Sequence, residues 1–325
     1  TDKGLGLSIP PYRVDVQREI DVIEEILRVY GFNNIKVGSK INATIAYGSK
    51  TDDHKVQNIA ADQLVSQGFY ETMSNSLTTT AYSDLIADIN KNQQVAILNP
   101  LSQDLSIMRQ TLLFGGLESI AYNINRKKAD LKYFEFGKTY AKTLSGYEEY
   151  KHLALFATGN SNGINWNTPA TSVDFFLFKG YIDALLLRLG LKNIETKPNE
   201  SDVFSEGITY YLGDRKVVSF GNVKRSILKH FDIKQDVFYA DFNWNTILNV
   251  VSSKIKFAEI SKYPVVKRDL ALLIKNEVSF ADVYKIVKQV DKNLISDVSL
   301  FDVYQGDKLP EGTKSYAISM KLQDK

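Results

Sequence analysis

The chain has 325 residues, 44% of them apolar and 24% charged, with a formal net charge of +2 and no cysteine. That length allows two or three domains with packed cores. The charge balance gives no bulk drive toward nucleic acid, and the missing thiols exclude disulfides, thiolate zinc sites and a cysteine nucleophile. Only three histidines are present, His54, His152 and His230, so a histidine-rich metal site is not expected. No apolar run reaches the 18 residues or so that a membrane span needs. The opening TDKGLGLSIPPY lacks the layout of a signal peptide and does not begin with Met, which reads as a fragment of a longer chain.

Three segments are expected, over residues 1–39, 40–256 and 257–325. In the first, Pro10-Pro11 break the chain and a helix is predicted over residues 17–30. Gly31 stands as its stop. NNIKV reads as a short exit strand.

In the second segment, Val56, Ile59, Ala60, Leu64 and Val65 recur at helical spacing and predict a helix over residues 52–68. VAILNP reads as a short strand ending at a turn. Residues 111–128 read as a helix with Gly115-Gly116 inside it, where the pair suits close packing or a kink. LKYFEFGKTYA and HLALFATG read as strands. Residues 174–189 form a strongly apolar helix closed by Gly190. ITYYLGDRKVVSFGNV gives strand, turn at Gly213-Asp214, and strand; VFYADFN is another strand. Hairpins with separate helices predict an α+β layout, an antiparallel sheet with helices packed on it.

In the third segment DLALLIK, FADVYKIVKQV, VSLFDVYQG and SYAISMKLQD read as β-α-β-β, with the turn KLPEGTK before the last strand. This is the first part of a ferredoxin-like unit, which needs a further helix and strand.

Chemistry is concentrated in RVDVQREIDVIEEILRVYG. Between Asp15 and Glu25 it holds five acids and one base. Asp21, Glu24 and Glu25 fall within one helical turn. Asp15, Asp21, Glu24 and Glu25 could hold Mg²⁺, which takes hard oxygen ligands and keeps several waters. The same pattern also describes a solvated helix face paired with Arg18 and Arg28. There is no GxxxxGK[ST] phosphate loop, no GxSxG elbow and no HExxH. Glu135, between aromatics on its strand, reads either as a functional carboxylate or as an outward-facing residue. The basic run Asn125-Arg126-Lys127-Lys128 is accounted for by the dipole of the helix it ends. Tyr263, Lys267, Arg268, Phe301 and Tyr304 mix bases with aromatics, as an RNA-stacking sheet or as a plain sheet with charged edges.

Three stretches carry a resemblance. IPPYRVDVQREIDVIEEILRVYGFNNI resembles a small helical domain with the signature P, R, D, then D-L-I-E-E, then R-x-Y-G-Y and N-I; Val22 replaces its Leu. VAILNPLSQDLSIMRQTLLFGGLESIAYNINRK with LKYFEFGKTY resembles N-P-L-S, M-R-x-S-L-L-P-G-L-L and F-E-I-G, with Thr111 and Phe114 in place of Ser and Pro. YPVVKRDLALLI through LFDVYQGDKLPEGTKSYAISMKLQD resembles Y-P-x-x-x-R-D-L and F-D-V-Y. In this order they are similar to the C-terminal part of the bacterial phenylalanyl-tRNA synthetase beta subunit family.

The resemblance implies a helical magnesium-associated piece, a class II synthetase-like domain without catalysis of its own, and a truncated ferredoxin-fold anticodon-binding domain. It puts Asp15, Asp21, Glu24 and Glu25 in register with metal-associated positions, holding Mg²⁺ through water at a subunit boundary; Glu19 has no such match. It assigns Arg109 to the subunit interface, and suggests Arg268 and Tyr304 for tRNA contact. The implied activity is that of a phenylalanine–tRNA ligase, with ATP bound mainly by the alpha subunit. The implied assembly is a cytoplasmic heterotetramer of two alpha and two beta chains on tRNA(Phe). No catalytic residue is expected here, since the strand before Glu135 lacks the Arg of a working ATP motif. The family's editing module is not in these residues. A stand-alone RNA-binding or assembly module with the same fold is the competing expectation.

Overall fold

A computed structural model describes residues 4–36, 38, 40, 43–44, 52–163, 165–199, 201–252, 257, 259–291 and 293–324. The chain divides into two compact units, Thr1–Val251 and Ser252–Lys325. The expected boundary residues Ser39 and Lys256 lie outside the described residues.

The first unit opens with α1 (Glu19–Tyr30), which Gly31 ends with φ +90° while its N–H bonds the Leu27 carbonyl. NNIKV does not form a strand. Phe32–Asn34 makes a tight 3₁₀ turn because the Asn34 amide donates to the Tyr30 carbonyl and folds the chain over the helix end. Val37 lies outside the described residues. Helix α2 (Asp53–Ser66) begins at Asp52, whose carboxylate accepts from the N–H groups of His54 and Lys55. It buries Val56, Ala60 and Leu64 at four-residue spacing.

Strand β1 (Tyr70–Glu71) follows. A two-stranded ribbon then pairs β2 (Leu77–Thr78) with β3 (Ile107–Met108). VAILNP contributes only a single bridge, Ala96 to Ile107, instead of a strand. The ribbon it joins is two residues deep, so it has no longer ladder to enter.

The remaining elements build the main sheet. They are α3 (Leu113–Ile124), β4 (Leu131–Thr143), β5 (Gly146–Thr158), α4 (Phe175–Arg188), β6 (Glu195–Pro198), β7 (Phe204–Leu212), β8 (Arg215–Val223), α5 (Arg225–His230), β9 (Val237–Asn243) and α6 (Trp244–Val250). The strand order is β1-β4-β5-β9-β8-β7-β6, antiparallel except for the parallel β1–β4 pair. The β7–β8 turn uses Gly213 at φ +60°, a region glycine enters without steric cost.

Both sheet faces are covered, and strand alternation assigns each residue to one. Phe134, Leu153, Leu155, Phe220 and Phe242 join α2, α4 and α6 in one core. Leu131, Tyr133, Ala154, Phe156 and Tyr239 join α3 and α5 in the other. The unbroken apolar run in HLALFATG follows from this, because Leu153 through Ala157 are buried on alternating sides of a central strand.

The second unit is a three-stranded antiparallel sheet in the order β10-β12-β11, from β10 (Val266–Lys275), β11 (Ile295–Tyr304) and β12 (Thr313–Leu322). Helix α7 (Phe280–Val290) starts at a reciprocal cap between Ser279 and Asp282. Val283 and Val287 pack onto Leu272, Ile274, Tyr316 and Ile318. This is the β-α-β-β order read from the sequence.

Candidate functional site

The acidic helix is an ion-pair cluster. The chain turns back at Pro10, where the Arg13 N–H bonds the Pro10 carbonyl. That turn places the Arg13 guanidinium between two acids, 2.9 Å from Asp15 Oδ2 and 2.7 Å from Glu25 Oε1. Arg28 also reaches Glu25, at 3.1 Å. Asp21 caps its own helix, accepting from the backbone N–H groups of Gln17 and Arg18 at 3.0 and 2.8 Å. Glu24 is exposed on the helix surface. The pairings of Arg18 and Arg28 were legible in their spacing from Asp21 and Glu25. Arg13 was not, because a turn and not a helix brings it to Glu25.

These partners hold the carboxylates in their charged form. Hydrogen bonds from Arg13 lower the Asp15 and Glu25 pKa values. The Gln17 N–H, then the Arg18 side chain, lower that of Asp21. Depressed carboxyl values give stability that is present above the usual values near pH 4 and is lost as pH falls through the lower folded values. NMR titration of the side-chain carboxyls is expected to place all three midpoints below their ordinary values. Arg13→Gln should raise Asp15 and Glu25 and leave Asp21 in place; equal movement of all three would contradict these pairings.

The four acids offer the hard oxygens that a hydrated divalent cation needs. They do not form a direct ligand cage, because Arg13 occupies the space between Asp15 and Glu25 and Asp21 is engaged by backbone N–H groups. Among the described residues, no three His, Asp or Glu side chains are grouped to ligate a metal ion.

On the main sheet, Glu135 is neither outward-facing nor free. It is fully buried, with Oε1 2.7 Å from Arg109 Nη1. Ser74 donates to the same carboxylate, its hydroxyl at 2.8 Å and its N–H at 3.2 Å. Arg109 further donates to the Lys138 and Ser74 carbonyls at 2.9 and 3.3 Å. Its guanidinium is therefore bonded inside the chain. Farther along this face His152 bridges Asp241 and Thr139, at 2.7 and 3.0 Å from its two ring nitrogens. Sequence spacing gave no sign of either cluster, since the partners lie 13 to 89 residues apart.

Helix α3 sits directly over this part of the sheet. A Cβ on Gly116 would lie 2.1 Å from the Phe156 ring, and one on Gly115 would lie 2.7 Å from the Ser74 side chain. The glycine pair thus serves close packing. Beside α3 remains a cavity of about 190 Å³, lined among others by Ser74, Tyr82, Arg109, Gln110 and Glu118. Small-molecule sites usually measure about 300–1,000 Å³, so this cavity is small for a nucleotide.

In the second unit, Arg268 pairs across the sheet with Met320, and Tyr304 with Ser315. Tyr316 and Ile318 face α7. Alternation then puts Arg268 on the helix side of the sheet and Tyr304 on the opposite side. Both are exposed, but they do not share a surface.

Comparison with known proteins gives three family matches in chain order. Residues 1–32 match the tRNA synthetase B5 domain, residues 39–244 the phenylalanyl tRNA synthetase beta chain CLM domain, and residues 261–325 the ferredoxin-fold anticodon binding domain. The phenylalanine–tRNA ligase beta subunit of Bacteroides thetaiotaomicron is 46% identical over all of this chain, which spans 41% of that protein. Those of Porphyromonas gingivalis and Fusobacterium nucleatum are 36% and 33% identical over 99% of the chain, which again spans 41% of each. A solved pyrrolysyl tRNA synthetase of Desulfitobacterium hafniense aligns with 61% of this chain and 68% of its own, at 18% identity and a TM-score of 0.46, too distant to add to the assignment. With one family model covering well over half of its residues, the chain belongs to the phenylalanyl-tRNA synthetase beta chain family.

Proposed function

We propose that this chain works as the non-catalytic beta-chain part of a phenylalanine–tRNA ligase. It supports a catalytic alpha chain and binds tRNA(Phe) while the complex attaches phenylalanine to that tRNA at the expense of ATP. The observation that carries this reading is the succession of three synthetase modules in one chain, with relatives of that name 33–46% identical over nearly all of it.

The three-part division at residues 1–39, 40–256 and 257–325 belongs to this proposal. Support comes from the extents of the family matches and from the contact boundary after Val251. The proposed complex holds two alpha and two beta chains and acts in the cytoplasm. No helix among the described residues is long and apolar enough to cross a membrane.

Asp15, Asp21, Glu24 and Glu25 are proposed to hold a hydrated Mg²⁺ through its waters at the boundary with the alpha chain. The lowered pKa values of Asp15, Asp21 and Glu25 and the exposure of Glu24 support an outer-sphere role. The cation would supply charge neutralisation between subunits. Arg109 is proposed to act on the interface from behind, by seating the chain that leads into α3. Arg268 and Tyr304, on opposite sheet faces, are proposed to meet different parts of the tRNA.

Co-purification tests the reading. A stable partner with intact class II ATP motifs is expected, with pyrophosphate exchange by the pair and none by this chain alone. Exchange by the isolated chain would refute a non-catalytic role. A monomer that binds RNA without any such partner would establish the stand-alone RNA-binding module instead.

A further inference from the structure

Helix α3 ends in an unusual way. The Lys127 N–H bonds the Ile124 carbonyl and the Lys128 N–H bonds that of Asn123, which turns the chain sharply at Lys127. Lys127 takes φ +62° to do so. The other described non-glycine residues at positive φ are Asn193 and Asp232, types that tolerate the left-handed region. A helix stop of this kind normally uses glycine. Lysine here costs backbone energy that glycine would not.

The lysine stands at the rim of a cleft of about 560 Å³, beside Lys128, Asn123, Thr72 and Tyr70. Lys127 and Lys128 are exposed, and neither has an ion-pair partner among the described residues. Two acids also line the cleft, Glu71 and Asp130; the Asp130 carboxylate accepts the Asn160 N–H at 2.7 Å. Next to the lysines, the Arg126 guanidinium lies 3.3 Å from the centre of the Tyr122 ring, while its Nη1 donates to the Tyr122 carbonyl. Arg126 therefore bonds a carbonyl of the last helical turn. Tyr70 is 73% exposed, and Tyr122 is 57% exposed with Arg126 covering one face of its ring.

Free cations beside exposed aromatic rings are the chemistry that holds a nucleic-acid strand: phosphates on the lysines, bases or riboses on the rings. In a chain of net charge +2, three consecutive bases are a local departure. We propose that the cleft at the end of α3 is an RNA contact, in which Lys127 and Lys128 bind tRNA phosphates and Tyr70 flanks the strand. This rests on the tRNA-binding reading above and adds a contact outside the anticodon-binding unit.

Substitution at Lys127 separates binding from folding. Affinity and melting temperature would be measured for Lys127→Gly, Lys128→Gln and the exposed control Lys192→Gln, in the full chain within its purified complex. The ligand is a tRNA(Phe) transcript across a range of salt. Each phosphate contact contributes a slope of roughly 0.9 in log affinity against log salt, so losing one costs about fivefold near 0.15 M. Lys127→Gly is expected to bind about fivefold more weakly with a shallower salt slope, yet to melt about 2 °C higher because glycine relieves the backbone. Lys128→Gln should weaken binding similarly, and the control should not. Tight, unchanged tRNA binding by both cleft variants would overturn the inference. So would loss of the partner subunit at unchanged tRNA affinity, which would make the cleft a protein contact. A wild-type complex that binds no tRNA would overturn the functional reading itself, and this inference with it.

Discussion

Replacing Glu135 with alanine is expected to destabilise the first unit by about 3–5 kcal/mol, the usual cost of leaving a buried ion without its partner. The Arg109 guanidinium would keep only the Lys138 and Ser74 carbonyls, at 2.9 and 3.3 Å. Ser74 would lose its acceptor as well. In a unit of this size the melting temperature should fall by roughly 6–20 °C. Combining Glu135→Leu with Arg109→Met should recover most of the loss, because two apolar side chains leave no charge to desolvate. An alanine variant as stable as the wild type would show that the pair does not constrain the fold. The double variant also tests the proposed role of Arg109. If the arginine only seats α3, capture of the partner subunit returns with stability. If it touches the partner directly, stability returns without capture.

Gly116→Ala should be the second severe change. Alanine gains about 1 kcal/mol of helix propensity over glycine. Its methyl group, however, would meet Phe156 Cζ at 2.1 Å, with the neighbouring ring atoms at 2.4 and 2.6 Å. Phe156 is fully buried and its ring packs against Tyr239 with centroids 4.9 Å apart, so it has little room to move. The overpacking should outweigh the propensity gain and leave a net loss of about 2–3 kcal/mol. Gly115→Ala meets only the Ser74 side chain and should cost less. Denaturant unfolding of the two variants checks the order. Pairing Gly116→Ala with Phe156→Leu should cost less than the sum of the single changes. Equal stability of Gly116→Ala and wild type would refute this account of how α3 meets the sheet.

Both predictions concern residues that the sequence singled out without deciding their role. Glycine inside a helical pattern pointed to packing or a kink, and only the position of Phe156 chose packing. Glu135 between aromatics left two readings open. A strand residue faces one side of its sheet, but the sequence does not say whether that side is wet. Here α3 and Arg109 cover it, and they approach from a different part of the chain.

The elements that could be read directly were those whose pattern is local. Helix α7 follows from its apolar period, and the β7–β8 hairpin from Gly213-Asp214. Strand β4 follows from its alternating aromatic content, whereas only the HLALFAT end of β5 was read and its first six residues, Gly146 to Lys151, were not. NNIKV and VAILNP have suitable composition but lack a neighbouring ladder, and strand identity depends on a partner. Conversely β1 is only two residues long, with no alternation to detect, and exists because β4 offers its edge.

The sequence by itself determined the α+β class, the β-α-β-β order of the second unit, and the motifs that place the chain in its family. These depend on residue types at short spacing, which the backbone reads through helical and strand periodicity. Tertiary structure alone decided that Arg13 lies between Asp15 and Glu25, that Arg109 and Glu135 pair in the interior, and that Arg268 and Tyr304 occupy opposite faces. Each of those depends on a turn, a burial or a strand register that joins distant or differently oriented residues. Ionic and polar side chains take their meaning from such neighbours, because one guanidinium or one layer of apolar packing changes a carboxylate from a solvated charge into a buried partner.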